Sequence, residues 1–252
     1  MDIVLIGTGN TATVLGKKLK EAGHTILQIY GRNASDASEL AYILDSESTN
    51  YWSVVSRDAD IYILAVSDIA IEELLQELHL PRKTIVHTAA SVSKNILQSA
   101  TSKFGVFYPL QTLKKDANVL PEIPMIIDAS DPQTLDFLES LAETISDKVV
   151  QASDEQRLKL HLAAVFCNNF VNHLYALMED YCRKENLDFQ LLIPLIKETT
   201  ASLDKMPASQ AQTGPGIRHD DETLKKHIHL LEQHPHLKEV YILLTKSIQQ
   251  QS

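Results

Sequence analysis

A glycine-rich turn follows directly on the first apolar segment of the chain. Residues 2–6 (Asp-Ile-Val-Leu-Ile) are too few for a helix and rich in β-branched side chains, so they predict a buried strand. Residues 7–12 then read Gly-Thr-Gly-Asn-Thr-Ala, and apolar residues follow at helical spacing until Gly23. A second apolar run at residues 26–30 completes the pattern. This order predicts a β-α-β unit whose first turn is a G-x-G-x-x-A motif.

The motif has a physical role in this position. Gly7 makes a turn that a side chain would block, Gly9 lets the backbone approach a pyrophosphate, and Ala12 packs helix against strand. The N-terminus of the helix offers free N–H groups to the anion. The motif therefore predicts a dinucleotide site with contacts from Gly7, Thr8, Gly9, Asn10, Thr11 and Ala12. The alternative is an ordinary strand–turn–helix that binds no ligand.

The end of the second strand indicates which dinucleotide binds. NAD sites usually place Asp or Glu about 20 residues after the glycines, where the carboxylate binds the ribose hydroxyls. This chain has Gly-Arg-Asn-Ala-Ser at residues 31–35 instead. Arg32 can pair with a 2′-phosphate, and Asn33 and Ser35 can donate hydrogen bonds to it, so the loop favours NADP over NAD. The loop also disfavours S-adenosylmethionine, whose ribose usually meets an acid here. Alternatively, Arg32 is a solvated loop residue.

The composition argues against several classes of protein. The 252 residues carry a formal net charge of −10, which argues against a nucleic-acid-binding surface or an anionic-membrane patch. No apolar run reaches membrane-spanning length and no signal peptide precedes the first strand, so we expect a cytoplasmic protein. Cys167 and Cys182 lack metal-ligand spacing and are predicted to be reduced core thiols, and no metal site is predicted.

Strand and helix patterns alternate over residues 1–152. Helices are expected at residues 35–44, 68–78 and 131–145, and Asp68 is the expected N-cap of the second. Apolar runs that predict strands lie at residues 51–55, 61–66, 84–88, 104–108, 124–128 and 148–151. The alternation predicts an α/β fold, a Rossmann-type doubly wound parallel sheet. Ligands of such sheets bind at the carboxyl ends of the strands, which adds Val66, Ser67 and Thr88 to the cofactor site and Gln111 to the substrate site.

From residue 153 the pattern is helical throughout. Ser153 and Gln156 form a capping box for a helix that runs to about Arg183, and a helix at residues 188–203 is expected to kink near Pro194. Two further helical segments follow, so we predict a smaller all-α domain over residues 153–252. Residues 162–167 are apolar on every side of the helix, which predicts a homodimer built through this domain.

Polar residues interrupt this apolar helix. In an α-helix, one face carries His161, Val165, Asn168 and Asn172, with Asn169 and His173 beside it. Such residues must face a cavity or find hydrogen-bond partners. A substrate cleft against the nucleotide domain would supply the cavity, and contacts with neighbouring helices or a second subunit are the alternative.

The two-domain pattern resembles the 6-phosphogluconate dehydrogenase-like superfamily, which includes 3-hydroxyisobutyrate dehydrogenase and pyrroline carboxylate reductase. Its hydroxyacid dehydrogenases carry a helix reading roughly A-A-K-x-x-N-N, and residues 163–169 match it except that Val165 stands at the catalytic lysine. This departure argues against hydroxyacid dehydrogenase chemistry. The resemblance implies that Asn169 contacts substrate. His161 lies one turn before Val165 and is the candidate acid or base in place of the lysine.

A closer resemblance is to a Rossmann-like oxidoreductase family whose helical half is a domain of unknown function. The matching motifs are His87-Thr88, Phe107-Tyr108-Pro109-Leu110-Gln111-Thr112, residues 161–166 and Thr213-Gly214-Pro215-x-x-Arg218-x-Asp220. Ala89-Ala90 departs from the more usual Ser-Gly pair after His-Thr. The resemblance implies the fold and a nicotinamide cofactor. Arg218 could clamp a substrate carboxylate or phosphate, or pair with Asp220 to lock its loop.

These observations predict an NADP-dependent oxidoreductase acting on a small carbonyl or imine in the cleft between its domains. Catalysis is assigned to His161 and Asn169, and substrate contacts to Gln111, Asn168 and Arg218. The cofactor would supply the hydride chemistry and the protein would orient the substrate and deliver a proton. A non-catalytic NADP-binding sensor or scaffold is the alternative, which Val165 at the lysine position keeps open.

Overall fold

The computed structural model describes residues 1–117 and 119–250. Two compact units are present, Met1–Phe166 and Cys167–Ser252. The first unit contains the whole sheet and continues into the helix that follows it. The predicted domain boundary between residues 152 and 153 coincides with the end of the last strand and stays a prediction.

The first unit alternates strands and helices. The strands are β1 (Asp2–Ile6), β2 (Thr25–Tyr30), β3 (Glu47–Thr49), β4 (Ile61–Leu64), β5 (Thr84–His87), β6 (Lys103–Pro109), β7 (Met125–Ala129) and β8 (Val149–Gln151). The helices are α1 (Asn10–Glu21), α2 (Ala34–Leu44), α3 (Asp68–Leu75), α4 (Pro132–Glu143) and α5 (Asp154–Ala164), with short 3₁₀ turns at Trp52–Val54 and Lys94–Ser99.

The strands form one sheet in the order β3-β2-β1-β4-β5-β6-β7-β8. The first six are parallel neighbours, and β7 pairs antiparallel with β6 before β8 returns parallel to β7. The strand order reverses direction at β1, so the carboxyl ends of β1 and β4 flank the switch point where ligands of such sheets bind. The Rossmann-type fold is confirmed, and the antiparallel β7 is an addition to the predicted parallel sheet.

Both faces of the sheet are covered. Ile3 and Leu5 belong to one buried cluster with α1, α2 and α4, while Val4 and Ile6 belong to another that includes residues of α3. Alternate residues of a strand point to opposite faces, so β1 is apolar along its whole length because it is buried on both sides. This burial fixes the turn after Ile6 relative to its neighbours.

Three local predictions for this unit are wrong in detail. The strand expected at residues 51–55 is a 3₁₀ turn, and the edge strand β3 precedes it. Ser67 rather than Asp68 is the N-cap of α3, and the Asp68 carboxylate instead accepts a hydrogen bond from the Ser91 hydroxyl. The helix that begins after Ser153 does have its capping box, but it does not continue as an unbroken α-helix.

A π-helix occupies Val165–Phe170 and separates α5 from α6 (Val171–Lys184). A π-helix has more residues in each turn than an α-helix, and single-turn π segments are frequent at functional sites. The shared face predicted for His161, Val165, Asn168 and Asn172 assumed 3.6 residues in every turn. That alignment is therefore wrong, because the spacing changes inside the motif itself.

The second unit is helical. After α6 come α7 (Ile193–Ala201), α8 (Ala208–Ala211), α9 (Asp221–Leu230) and α10 (Pro235–Gln249), with 3₁₀ turns at Phe189–Leu192 and Ser202–Asp204. Pro194 lies in the first turn of α7 and starts that helix instead of kinking a longer one, because a proline there has no hydrogen bond to lose. Among the described residues of this unit, hydrophobic burial is limited to Cys182, Leu224 and Leu231.

The predicted apolar helix segment is exposed in the single chain. Leu162 is 58% exposed and Phe166 60% exposed. Cys182 is buried as predicted, but Cys167 is exposed, so its assignment as a core thiol is wrong. Both cysteines are free thiols. In the part of the chain that the structure describes, no helix is long and apolar enough to cross a membrane.

Candidate functional site

The turn after β1 can be made only by glycine. Gly7 has φ = +127°, and a Cβ atom there would lie 2.3 Å from the carbonyl oxygen of Ala65. The Gly7 N–H donates to the carbonyl of Tyr30 at 2.8 Å, so the turn is tied to β2. The backbone conformation and the close approach of β4 each exclude a side chain at this position.

The N-terminus of α1 is open to a ligand. Gly9 is its N-cap, no side chain caps it, and its first turn contains no acidic residue. By contrast, α2, α4 and α5 are capped by the side chains of Asn33, Asp131 and Ser153. The first N–H groups of α1 therefore lack side-chain acceptors, and with the helix dipole they form a site suited to a phosphate.

A cavity of about 600 Å³ lies at this helix terminus, along the carboxyl ends of β1, β2 and β4. It brings together Gly7, Thr8, Gly9, Asn10, Thr11, Arg32, Asn33, Val66 and Ser67, all of which were predicted to contact the cofactor. Two predicted contacts are absent from its lining. Ala12 is fully buried behind the turn, and Thr88 is buried with its N–H donating to the Leu64 carbonyl. Uncapped helix N–H groups and an open Gly9 fit a bound dinucleotide phosphate.

The loop after β2 differs from its predicted role. The Asn33 side-chain oxygen accepts hydrogen bonds from the N–H groups of Ser35 and Asp36, so it caps α2. Arg32 lines the cavity, but its guanidinium also forms an ion pair with Glu73 of α3, with Nη1 and Oε2 3.5 Å apart. Glu73 was not predicted as a site residue, because it is distant in sequence and its helix shows no motif.

Two aromatic side chains form another part of the cavity lining. Tyr30 and Trp52 meet edge to face with their ring centroids 4.9 Å apart. The Trp52 indole N–H donates to the Glu77 carbonyl at 2.7 Å, which fixes the ring. Trp52 was not predicted as a site residue, because residues 51–55 were expected to form a strand and nothing in the sequence directs this side chain toward the loop after β2.

Tyr108 and His161 form a hydrogen-bonded pair beside the carboxyl end of β6. The Tyr108 hydroxyl lies 3.0 Å from Nδ1 of His161. Tyr108 is 9% exposed, and this burial raises its pKa, with the positive charge of Arg157 acting in the opposite direction. Its hydroxyl is therefore protonated at neutral pH and can transfer a proton. Tyr108 was not predicted as a catalytic residue, although it lies within one of the recognised motifs.

A polar cluster around the buried Arg157 holds α5 against the loop after β5. Arg157 is fully buried; its Nε donates to the Ala90 carbonyl at 3.0 Å, and Nη2 donates to the Val92 carbonyl and pairs with Asp154 at 2.9 Å. Asp154 also accepts a hydrogen bond from the Ser93 hydroxyl at 2.5 Å. A planar guanidinium suits this arrangement, because one side chain satisfies two carbonyls and a carboxylate. The cluster joins α5, the helix that carries His161, to the loop after β5.

His87 is buried in the same region. Its Nδ1 accepts a hydrogen bond from the Ala89 N–H at 3.2 Å, so the neutral ring carries its proton on Nε2. Burial, and then the charge of Arg157, lower the pKa of His87 to about 4. Within the described residues, His87 Nε2 and Arg157 Nη1 are buried without a hydrogen-bond partner. The His87 ring is therefore neutral at physiological pH and can donate a hydrogen bond through its Nε2–H group.

The predicted substrate residues belong to different elements of the chain. The Gln111 side chain is used inside its own loop, where Nε2 donates to the Glu122 carbonyl and Oε1 accepts from the Thr112 N–H. In the second unit, Asn168 and Asn169 belong to the π-helix and are exposed, and Arg218 is exposed. Asp220 caps α9 by accepting from the Thr223 N–H at 3.1 Å. The roles of Asn168, Asn169, Gln111 and Arg218 toward substrate stay predictions.

Two protein-family profiles match separate parts of the chain. A profile described as NADP oxidoreductase, coenzyme F420-dependent, matches residues 2–91. A profile described as a domain of unknown function, DUF2520, matches residues 123–248, which is half of the chain. A search of curated protein sequences finds no match.

Solved structures extend this comparison. The Bacteroides fragilis protein BF3122, assigned as an NADP oxidoreductase, is 41% identical over 99% of this chain and 98% of its own, with a TM-score of 0.91. A 1-pyrroline-5-carboxylate reductase from Streptococcus pyogenes is 16% identical over 99% and 98% of the two chains, with a TM-score of 0.68. An imine reductase from Myxococcus stipitatus in complex with NADP⁺ is 15% identical over 99% and 93%, with a TM-score of 0.65.

The last two similarities concern the fold alone, whereas the match to BF3122 and the DUF2520 profile concern the family. The family resemblance inferred from the motifs is thereby confirmed. The chain therefore belongs to a family of pyridine-nucleotide-dependent oxidoreductases that carries DUF2520 in its C-terminal half.

Proposed function

We propose that this protein is an NADP-dependent reductase of a small carbonyl or imine compound. The observation that carries the proposal is the cavity at the uncapped N-terminus of α1, with Arg32 at the end of β2 in its lining. The helix N-terminus would bind the pyrophosphate, and Arg32 would pair with the 2′-phosphate. Solved structures with this fold include reductases of imines, which favours the C=N or C=O class of substrate.

Titration with both cofactors tests the NADP preference. We expect wild-type protein to bind NADPH more tightly than NADH, and Arg32→Ala to weaken NADPH by roughly tenfold while changing NADH little, since a charged hydrogen-bonded pair contributes about 1.5–3 kcal/mol. Arg57→Ala is the matched control, because Arg57 is an exposed arginine of the same unit outside the cavity lining. Equal losses for both cofactors in Arg32→Ala would contradict the assignment of Arg32 to the 2′-phosphate.

We assign proton delivery to the Tyr108–His161 pair. The bound cofactor supplies the hydride, and the chain's own residues hold the substrate and protonate the oxygen or nitrogen that is reduced. Tyr108 is protonated at neutral pH, and His161 can restore its proton through the 3.0 Å hydrogen bond. The two residues replace the lysine whose position Val165 occupies.

Single substitutions in this pair give the test of catalysis. Tyr108→Phe and His161→Asn should leave NADPH affinity unchanged and lower turnover at least a hundredfold, the low end of the contribution of general acid catalysis. The substrate panel should begin with 1-pyrroline-5-carboxylate and other cyclic imines, followed by small ketones. If His161→Asn lowers the melting temperature without affecting turnover, His161 is a packing residue. If wild-type protein binds NADPH but reduces no member of the panel, the sensor function is favoured.

We further propose that the protein is a homodimer built through its helical part. Exposed leucines are spread over this part, including Leu191 at 76%, Leu195 at 65% and Leu243 at 69% exposure. Few hydrophobic residues are buried there, so a second copy of the chain would supply the missing apolar contacts. Sedimentation equilibrium should give a dimer at micromolar concentration. Leu243→Glu should weaken the dimer. Tyr42→Glu is the control, because it places the same acidic side chain at an exposed position of α2 and should not weaken the dimer. A wild-type monomer would contradict the proposal.

A further inference from the structure

The cavity at the end of β2 carries more negative than positive charge. Its described lining includes one basic side chain, Arg32, and three carboxylates, Asp36, Glu73 and Glu77. A cofactor with an additional phosphate would enter this environment at a cost, because the single cation is already paired with a carboxylate. The positions of these carboxylates therefore bear directly on which dinucleotide the cavity prefers.

Glu73 is the carboxylate that contacts the cation. It lies on α3, the helix after β4, whereas Arg32 lies in the loop after β2. The fold brings the two side chains together across the sheet edge, with Arg32 Nη1 3.5 Å from Glu73 Oε2. Both side chains are mostly exposed, at 76% and 64%. The pair is therefore free to break, and Arg32 can turn toward a ligand without burying the glutamate.

We propose that Glu73 is a specificity-determining residue that competes with the 2′-phosphate of NADP for Arg32. In the free protein, Glu73 is the counter-ion of Arg32. Binding of NADP replaces this ion pair by an Arg32–phosphate pair. The free energy of NADP binding is therefore reduced by the free energy of the Arg32–Glu73 pair. NAD has no 2′-phosphate and leaves the pair intact. This inference rests on the proposed NADP site.

The size of the effect follows from the geometry of the pair. Two unit charges 3.5 Å apart in a medium close to bulk water attract each other by an amount that corresponds to about sevenfold in affinity. Exposed pairs contribute less than this limit because their side chains are mobile and salt screens them. We therefore expect Glu73 to weaken NADPH binding about threefold to fivefold at low salt, and less at 0.15 M salt.

Calorimetric titration of NADPH and NADH tests the competition. Glu73→Gln should tighten NADPH binding about threefold to fivefold at 20 mM salt and leave NADH binding within about 1.5-fold, and the gain should shrink as salt is added. Glu72→Gln is the matched control, because it removes the same charge from the next residue of α3, outside the cavity lining. It should change neither affinity.

A double variant identifies the route of the effect. In an Arg32→Ala background, Glu73→Gln should change NADPH affinity by less than about 1.5-fold, because no cation remains to compete for. An equal gain in both backgrounds would overturn the proposal, since Glu73 would then act by repelling the cofactor directly. Unchanged NADPH affinity in Glu73→Gln alone, or equal gains for NADPH and NADH, would also overturn it.

The same titrations distinguish this inference from the proposed function. If Arg32→Ala weakens NADPH binding more than NADH binding, but Glu73→Gln changes neither affinity, the proposed NADP site stands and the proposed competition fails. If wild type shows no preference for NADPH and Arg32→Ala weakens both cofactors equally, both proposals fail together.

Discussion

Acid should destabilise the first unit through His87. Its folded pKa of about 4 lies below its ordinary value of 6.5, so between these two pH values the unfolded chain binds more protons than the folded one. The contribution of His87 to the free energy of unfolding is therefore complete above pH 6.5, decreases as the pH falls, and is lost by about pH 4. A difference of about 2.5 units corresponds to about 3.4 kcal/mol in total, of which about 2 kcal/mol is lost between pH 7 and pH 5.

Urea unfolding at several pH values between 7.5 and 5 measures this loss. Trp52 is the single tryptophan of the chain and lies in the same unit as His87, so its fluorescence follows the unfolding of that unit. His87→Asn is the informative variant, because the amide oxygen can still accept from the Ala89 N–H while the titrating ring is removed. The free energy of unfolding of this variant should be lower than that of wild type at pH 7. On acidification to pH 5, however, it should decrease by about 2 kcal/mol less than that of wild type.

The comparison with wild type separates His87 from other titrating groups. Burial also lowers the pKa of His24. His24 therefore also decreases the free energy of unfolding as the pH falls, and it does so in wild type and in each variant. His79→Asn removes an exposed histidine and should retain the full wild-type loss. If His87→Asn loses as much stability between pH 7 and pH 5 as wild type does, the neutral buried histidine is not the source of the acid sensitivity.

Three further predictions concern stability and cofactor binding. Gly7→Ala should abolish NADPH binding and destabilise the fold by at least about 3 kcal/mol in urea unfolding, because the added Cβ meets the carbonyl oxygen of Ala65, directly after β4; an NADPH affinity close to wild type would contradict this. Arg157→Met should cost about 3–5 kcal/mol, since it removes a buried cation together with its hydrogen bonds to the Ala90 and Val92 carbonyls and its ion pair with Asp154; a loss below 1 kcal/mol in the same assay would mean that the cluster is not tightly coupled. Ser153→Ala should cost about 1 kcal/mol by removing the capping box of α5, while Ser140→Ala, on the exposed side of α4, should leave the urea midpoint nearly unchanged.

The cofactor turn could be predicted from sequence because its signals are local. The apolar run before Gly7 and the amphipathic helix after it lie within one short segment, and the steric reason for each glycine needs no knowledge of distant residues. The same holds for the Ser153 capping box and the Asp220 cap, since both depend on residues three positions apart. In these places local propensity and the final structure agree.

The charge balance of the cavity could not be predicted, because it is formed by elements that meet only after folding. Glu73 reaches Arg32 through the placement of β4 beside β1, and Trp52 reaches Tyr30 from a turn that resembles a strand in sequence. The π-helix at Val165–Phe170 also carries no sequence signal that distinguishes it from an α-helix. For the same reason Tyr108 was recognised as part of a motif but not as the partner of His161.

The segment after β5 has no regular secondary structure of its own until Lys94, yet it is held by side chains from several elements. Lys94 pairs with Asp128 of β7 at 2.6 Å and its N–H donates to Asp154, while Arg157 holds the carbonyls of Ala90 and Val92. The Ala89 and Lys94 N–H groups in this segment are hydrogen-bonded to His87 and Asp154, so their exchange with solvent requires those attachments to open. In hydrogen-exchange measurements, the amides of Ala89 and Lys94 should therefore exchange together with those of the first turns of α5, more slowly than amides of an irregular segment would by themselves.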